Sequence, residues 1–494
     1  MKKILGSLIA AATIWAGTTA YIGSQTEGNL QEQVNNINKL YANKGIQYKL
    51  NNYEKSFLNS KVSIEVVVTD PNVQAIVKDT IKLPLVMDYN IEHGPIFFQN
   101  GLGMGAAKVH QEIMLSSLLS DESKEEFLSL IKDDIHIKSD MIISFTNNAN
   151  YQVTSDAVKI DQEGKSFTMT PLHGDGEMNL ETFSGKSNIN VASLEFKESG
   201  SQNGLSIKNL LFNVDVDEFI GDSIMVGAVN ISMDNLSIKD DSNPKMEKIS
   251  LQPSIKILTK KDSEKTISTM IEGSVELGET KLPDELPPLK TVHASMHMDA
   301  MGIEGLMEFQ QATQEMQESQ AKLLSKMQSS SGDNKEMQKI FEEFGTLQET
   351  MMSKMIHSLN TLLVKDQTRI GYSFDIETKE KKQSDAKLEV QYTGDMKFEG
   401  SLEEIAMRVQ QQALNMANLD VKIVLDAEHI KTLPNAEMLA QQIQMGVAQG
   451  FVKKENGKYI LNGYYKNREL MVNDNNLTAT VLPLLMMATQ GGGF

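Results

Sequence analysis

Between residues 134 and 301 the chain consists of short segments whose apolar residues fall at every second position, a period that suits strands and not helices. Nine such segments, from HIKSDMIISF at 136–145 to TVHASMHM at 291–298, alternate with Gly, Asn, Asp and Ser clusters. Intervals of roughly 8 to 15 residues between those clusters are the spacing of a large antiparallel meander. In 206–217, Leu210, Phe212 and Val214 form one set, while Asn209, Asn213, Asp215 and Asp217 are available for the other side. The expected sheet is therefore one-sided, with one wet face and one face that is buried or occupied by a ligand. LSIKNL at 205–210 and LSIKDD at 236–241 echo each other, which reads as shared strand grammar and not as a repeat architecture.

The rest of the chain places this sheet in an α+β protein. Lys2 and Lys3 precede an uncharged, apolar run from Ile4 to Ile22. At about 1.5 Å per residue that run covers roughly 28 Å, close to a bilayer core, so residues 1–23 are expected to be a transmembrane signal anchor. The two lysines favour the cytoplasmic side, which sends the remainder across the membrane; in a bacterial inner membrane that is the periplasm. A cleaved signal peptide, with Thr18 and Ala20 before Tyr21, is the alternative. Residues 24–45 carry Leu30, Val34, Ile37, Leu40 and Tyr41 at helical spacing, an amphipathic membrane-proximal helix.

A β-rich region is expected over 46–301, with a hairpin from 61–69 and 80–91, a loop at Pro71, and a helix over 108–132. Residues 302–365 read as a methionine-rich helical hairpin, with helices at 303–328 and 335–364 and a turn at Ser329 to Gly332. Residues 366–494 read as a mixed region: strands at 369–377, 386–392 and 420–425, helices at 401–416 and 436–449, and a hairpin at 458–473.

Composition excludes more chemistry than it offers. Sixty-six acidic against 47 basic residues give a net charge of −19, which repels phosphate backbones, so nucleic acid is not an expected partner. There are no cysteines, hence no thiolate catalysis and no thiolate metal sites. Gly101, Gly103 and Ala106 fit G-x-G-x-x-A, but not in the strand-to-helix context a dinucleotide requires. His293 and His297 lie four apart on an expected strand, about 13 Å, too far to share an ion. Asp215, Asp217 and Glu218 lack the turn and spacing of a calcium loop. No nucleophile elbow, H-E-x-x-H helix or Ser, His and Asp pattern occurs, so neither a catalytic site nor a cofactor is expected.

Tyr53-Glu54-Lys55-Ser56-Phe57-Leu58-Asn59-Ser60, then His93-Gly94-Pro95, then Tyr459-Ile460-Leu461-Asn462-Gly463, in that order behind an N-terminal apolar run, resemble the YdgA-like family of bacterial envelope proteins. Tyr53, Ser60, His93, Gly94 and Pro95 agree with the family pattern, while Lys55, Ser56, Leu58 and Ile96 depart from it. The resemblance implies a single-pass inner-membrane protein facing the periplasm, with no catalytic residues to carry over. Physically, Pro95 restricts Gly94 and ends a strand, so these positions read as structural.

In the second helix of the hairpin, Met337, Ile340, Phe341, Phe344, Leu347, Met351, Met355, Leu359 and Leu362 recur at spacings of three and four, a stripe expected to be continuously buried. Within it Met337, Phe341, Phe344, Met351 and Met355 are candidates either for core or for contact with an apolar ligand. The expected function is thus a non-enzymatic anchored protein that binds lipid or another apolar ligand on its one-sided sheet, with the hairpin as lid. The alternative is a scaffold that oligomerises or holds another envelope protein.

Overall fold

Alternating apolar residues become paired strands along most of the chain, and every pairing described is antiparallel, as the meander pattern requires. The computed structural model describes residues 45–481 apart from 56–58, 94–95, 98–102, 132, 163, 199–202, 222–223, 241–247, 279–288, 330–333, 381 and 432–434, together with residues 31, 34, 35, 37 and 38. The apolar run at 4–22 lies outside the described residues, and among these no helix is long and apolar enough to cross a membrane. The chain divides into two units, Met1–Asp241 and Ser242–Phe494.

The first unit contains β1 (Ile46–Lys55), β2 (Asn59–Val68), β3 (Leu85–His93), β4 (Ile96–Phe97), β5 (Gly103–Met104), β6 (Ala107–Met114), β7 (His136–Ile143), β8 (Asn148–Ser155), β9 (Val158–Gln162), β10 (Lys165–Met169), β11 (Leu172–Asn179), β12 (Gly185–Glu198), β13 (Gly204–Ile220) and β14 (Ile224–Lys239). Pairing runs β1-β2-β3-β6-β7-β8-β11-β12-β13-β14, and β10 joins β12 beside β11 and pairs with β9 on its other side. Every second residue turns inward: Val62, Ile64 and Val66 of β2, Met87, Tyr89 and Ile91 of β3, Met141 and Ile143 of β7. Val34 and Ile37, both helical, join this core. The Asn38 amide donates to the Tyr48 carbonyl at 2.8 Å and accepts from the Tyr48 N–H at 2.7 Å, which fixes where β1 begins. Asn209, at φ 48°, separates Ile207 from Leu210; these residues have opposite parity, yet both pack on this core. The LSIK echo is two neighbouring strands facing each other, with Leu205 opposite Ile238 and Ile207 opposite Leu236.

Two local expectations change. The helix expected over 108–132 is β6, a 3-10 turn at Leu115–Leu118 and α2 (Asp121–Leu130). Ala107, Val109, Gln111 and Ile113 are buried at alternate positions and β6 is paired on both sides, so tertiary burial outweighs a helical reading of the same apolar residues. Conversely, the loop expected at Pro71 opens α1 (Pro71–Val77), where Asp70 accepts from the Val73 N–H at 3.4 Å as N-cap and proline takes the first helical position.

The second unit contains β15 (Lys248–Lys261), β16 (Thr266–Leu277), β17 (Leu289–Gly302), β18 (Arg369–Thr378), β19 (Gln383–Tyr392), β20 (Ala417–Asp426), β21 (Lys453–Glu455), β22 (Lys458–Lys466), β23 (Glu469–Val472) and β24 (Asn475–Asn476). The order of pairing is β15-β16-β17-β18-β19-β20-β22-β23-β24, with β21 also on β22. Between the paired strands β17 and β18 the chain makes one excursion, α3 (Ile303–Ser329), α4 (Asn334–His357) and α5 (Leu359–Leu362). Lys326 donates to Glu343 at 2.8 Å, and Lys354 to Glu315, so ion pairs link the two long helices. Gly302 and Gly305 let the outgoing and returning chain touch: a Cβ on them would lie 1.8 Å from the Thr361 carbonyl oxygen and 2.1 Å from the Leu362 nitrogen. α6 (Leu402–Met416) starts from a Ser401 and Glu404 capping box and sets Ile405 against Met396 and Phe398; α7 (Ala427–Ile430) and α8 (Ala436–Ala448) follow.

Two outcomes test these packing arguments. Gly305→Ala forces backbone apart where α3 meets α5 and should cost about 1–3 kcal/mol in denaturant unfolding. His429 in α7 is buried, and its Nδ1 lies 2.6 Å from the Ser384 hydroxyl. Desolvation holds its pKa below the ordinary 6.5, with Lys382 and Lys458 acting in the same direction and Asp426 against. The unfolded chain then binds more protons below about pH 6.5, so stability falls as pH drops through that value towards the folded pKa. His429→Gln should flatten that part of the stability profile.

Candidate functional site

β15 to β20 divide their side chains by chemistry. Following the register, Ile255, Gly273, Ala294, Phe374, Ala386 and Ile423 form one cross-strand row. Ile257, Ile271, Met296, Tyr372, Leu388 and Val421 form the next row on the same face. Met298, Ile370, Val390 and Leu419 add a third. The opposite face carries Lys256, Glu272, Ser295, Ser373, Lys387 and Lys422 in a row, with His293 Nδ1 lying 3.0 Å from the Asp375 carboxylate and Ser295 paired with Ser373 at 2.7 Å. Period two thus yields a sheet with one apolar and one polar side.

The apolar side is open. Ile255 and Tyr372 are each 48% exposed and Phe374 46%, and Ile271 and Leu388 are also exposed. Together they line a groove of about 690 Å³. Its trough is set by small residues, Gly273, Ala294 and Ala386, between larger ones in the adjoining row. Six strands spaced by about 4.8 Å give the groove a reach of roughly 24 Å across the sheet. Contiguous apolar exposure of this extent makes this face the candidate interaction site. Periodicity alone placed the one-sided character in 134–301; the strands after the helical excursion, β18 to β20, complete it because they pair with β17 in sequence order.

The hairpin residues lie elsewhere. Met337 lies in α4, Met351 is buried and Met355 half-buried, whereas Phe341 is 59% exposed and Phe344 is also exposed. The stripe is therefore not continuously buried: Ile340 and Met351 turn inward, and Phe341, about 100° round the helix from Ile340, turns out. Phe341, Phe344, Met351 and Met355 do not line the groove.

The motif positions do come together. Tyr53 on β1, Ser60 on β2 and His93 on β3 meet through Ser60, whose hydroxyl lies 2.9 Å from His93 Nε2 and donates to the Tyr53 hydroxyl at 3.2 Å. Ser60 is 1% exposed while Tyr53 and His93 are half-buried, so the three strands are joined by a partly enclosed hydrogen-bonded junction. Residues 94–95 lie outside the described residues. Of the rejected motifs, Gly103–Met104 pairs antiparallel with Ile96–Phe97, Asp215 pairs with Lys186 at 3.1 Å, and the His297 ring lies over Gly371. Among the described residues no group of three or more His, Asp or Glu converges as metal ligands.

The family described as a bacterial protein of unknown function, DUF945, matches residues 1–479. The chain belongs to this family. The YdgA-like motifs are consistent with that membership, and the match spans both units. No curated protein and no solved structure matches the chain.

Ser60→Ala removes the buried hydroxyl that joins half-buried Tyr53 and His93 and should destabilise the first unit by about 0.5–1.5 kcal/mol in denaturant unfolding. Binding of an apolar dye to the groove of the second unit should be unchanged by the same substitution.

Proposed function

We propose that this protein is a non-enzymatic, inner-membrane-anchored periplasmic protein that binds lipid acyl chains on the apolar face of β15 to β20. The observation that carries this reading is the groove itself, two cross-strand rows of apolar side chains left half-exposed on a sheet whose other face is polar. Apolar chain matches it in chemistry: each methylene buried contributes about 0.8 kcal/mol, so about ten methylenes offer on the order of 8 kcal/mol before the cost of ordering. The anchor expected at 4–22 supports the choice of lipid, because it would hold the groove beside a membrane that supplies one.

A second reading, a scaffold that oligomerises or holds another envelope protein, is favoured by exposed Phe341, Phe344 and Met352 on α4. Spacings of three, eight and eleven residues put these on one side of the helix, a stripe suited to another helix or a second copy.

Residues 27–494, purified without detergent, should show a native mass above the sequence mass, and organic extraction should release lipid at a fixed stoichiometry. Phe374→Glu with Leu388→Glu should abolish the excess mass while leaving thermal unfolding cooperative. A lipid-free dimer, dispersed by Phe341→Glu and unaffected by the groove variant, would favour the scaffold instead.

A further inference from the structure

The first unit carries a second open face, of opposite chemistry. On the side of its sheet away from the core, the register aligns Asn90, His110, Asp140, Gln152, Asp175, Asn188, Asn213 and Asn230 in one row across eight strands. Asn and Asp are among the residues least suited to strand interiors, less so even than Lys and Glu, whereas Thr is the polar residue that strands favour. A row that goes against local propensity at strand after strand is where function is expected to override folding preference.

The row crosses a concavity of about 800 Å³ whose lining includes His110, Asp140, Gln152, Asp175 and Asn188. Some of the row is internally satisfied: His110 Nδ1 lies 3.1 Å from Asp140, and Asn188 donates to Asp175 at 3.3 Å. The amides of Asn90, Gln152, Asn213 and Asn230 make no side-chain hydrogen bond among the described residues. Strand spacing of about 4.8 Å repeats these planar donor and acceptor groups along roughly 34 Å.

We infer that this face binds an uncharged, linear saccharide chain. Planar amides and carboxylates present paired donors and acceptors, as adjacent hydroxyl groups require, and a ladder of them suits a repeating polymer. Charge points the same way: Lys108 and Lys186 stand against Asp140, Asp175 and Glu177 in the concavity, a near balance that attracts neither a polyanion nor a polycation. The site is separate from the apolar groove, which lies on the second unit.

The test uses the full chain in synthetic phosphatidylcholine nanodiscs, titrated calorimetrically with maltoheptaose, hexa-N-acetylchitohexaose and a short dextran, and with polyglutamate as the charged contrast. At least one neutral saccharide should bind. Gln152→Thr, Asn213→Thr and Asn230→Thr together should weaken it tenfold or more while the melting temperature holds or rises, because threonine suits a strand better. Gln152→Arg, a single exposed change, should also weaken binding. The inference is overturned if no neutral saccharide binds, if binding survives these substitutions, or if polyglutamate binds in their place.

Discussion

The antiparallel ladder is the interaction on which everything else in this chain rests. Each inner strand gives its N–H and C=O groups to two neighbours, so backbone polarity is satisfied within the sheet and no side-chain face has to be covered for hydrogen bonding to be complete. That independence is what allows β15 to β20 to hold an apolar face half-open. Ile255, Tyr372 and Phe374 stay partly exposed because their strands are fixed by pairing, with polar cross-strand contacts such as His293 with Asp375 on the other side. In the first unit the same ladder serves the opposite arrangement, an apolar face closed into a core with Val34, Ile37 and Phe127, and a polar face left to solvent.

Much of this was legible in the sequence because strand alternation and register are linked by a period of two. Segments such as 369–377 and 420–425 became β18 and β20 nearly as read, and α6 and α8 follow the helical spacing seen beforehand. Failures arose where neighbours decide. Residues 107–114 carry apolar side chains compatible with either period, and only pairing to β3 and β7 settles them as strand. Phe341 belongs by spacing to a buried stripe, yet a two-helix excursion has too little surface to cover it.

The sites were less legible than the fold. Tyr53, Ser60 and His93 were visible as motif positions, but their meeting through one hydroxyl depends on β1, β2 and β3 lying side by side. The groove was visible only as one-sidedness. Its location required knowing that β18 returns to β17 after the helices, a pairing that periodicity cannot supply.

That return also governs how the second sheet assembles. Sixty-six residues, 303 to 368, separate β17 from β18, and Asp299 sits opposite Arg369 at the mouth of the excursion. Closing a flexible loop of that length before the strands reward it is entropically slow, whereas α3 and α4 make contacts local in sequence. With α3 and α4 paired and Gly302 and Gly305 admitting the returning chain, the ends of β17 and β18 lie as neighbours. The helical excursion thus acts as a staple, holding side by side two strand ends that the sequence sets 66 residues apart.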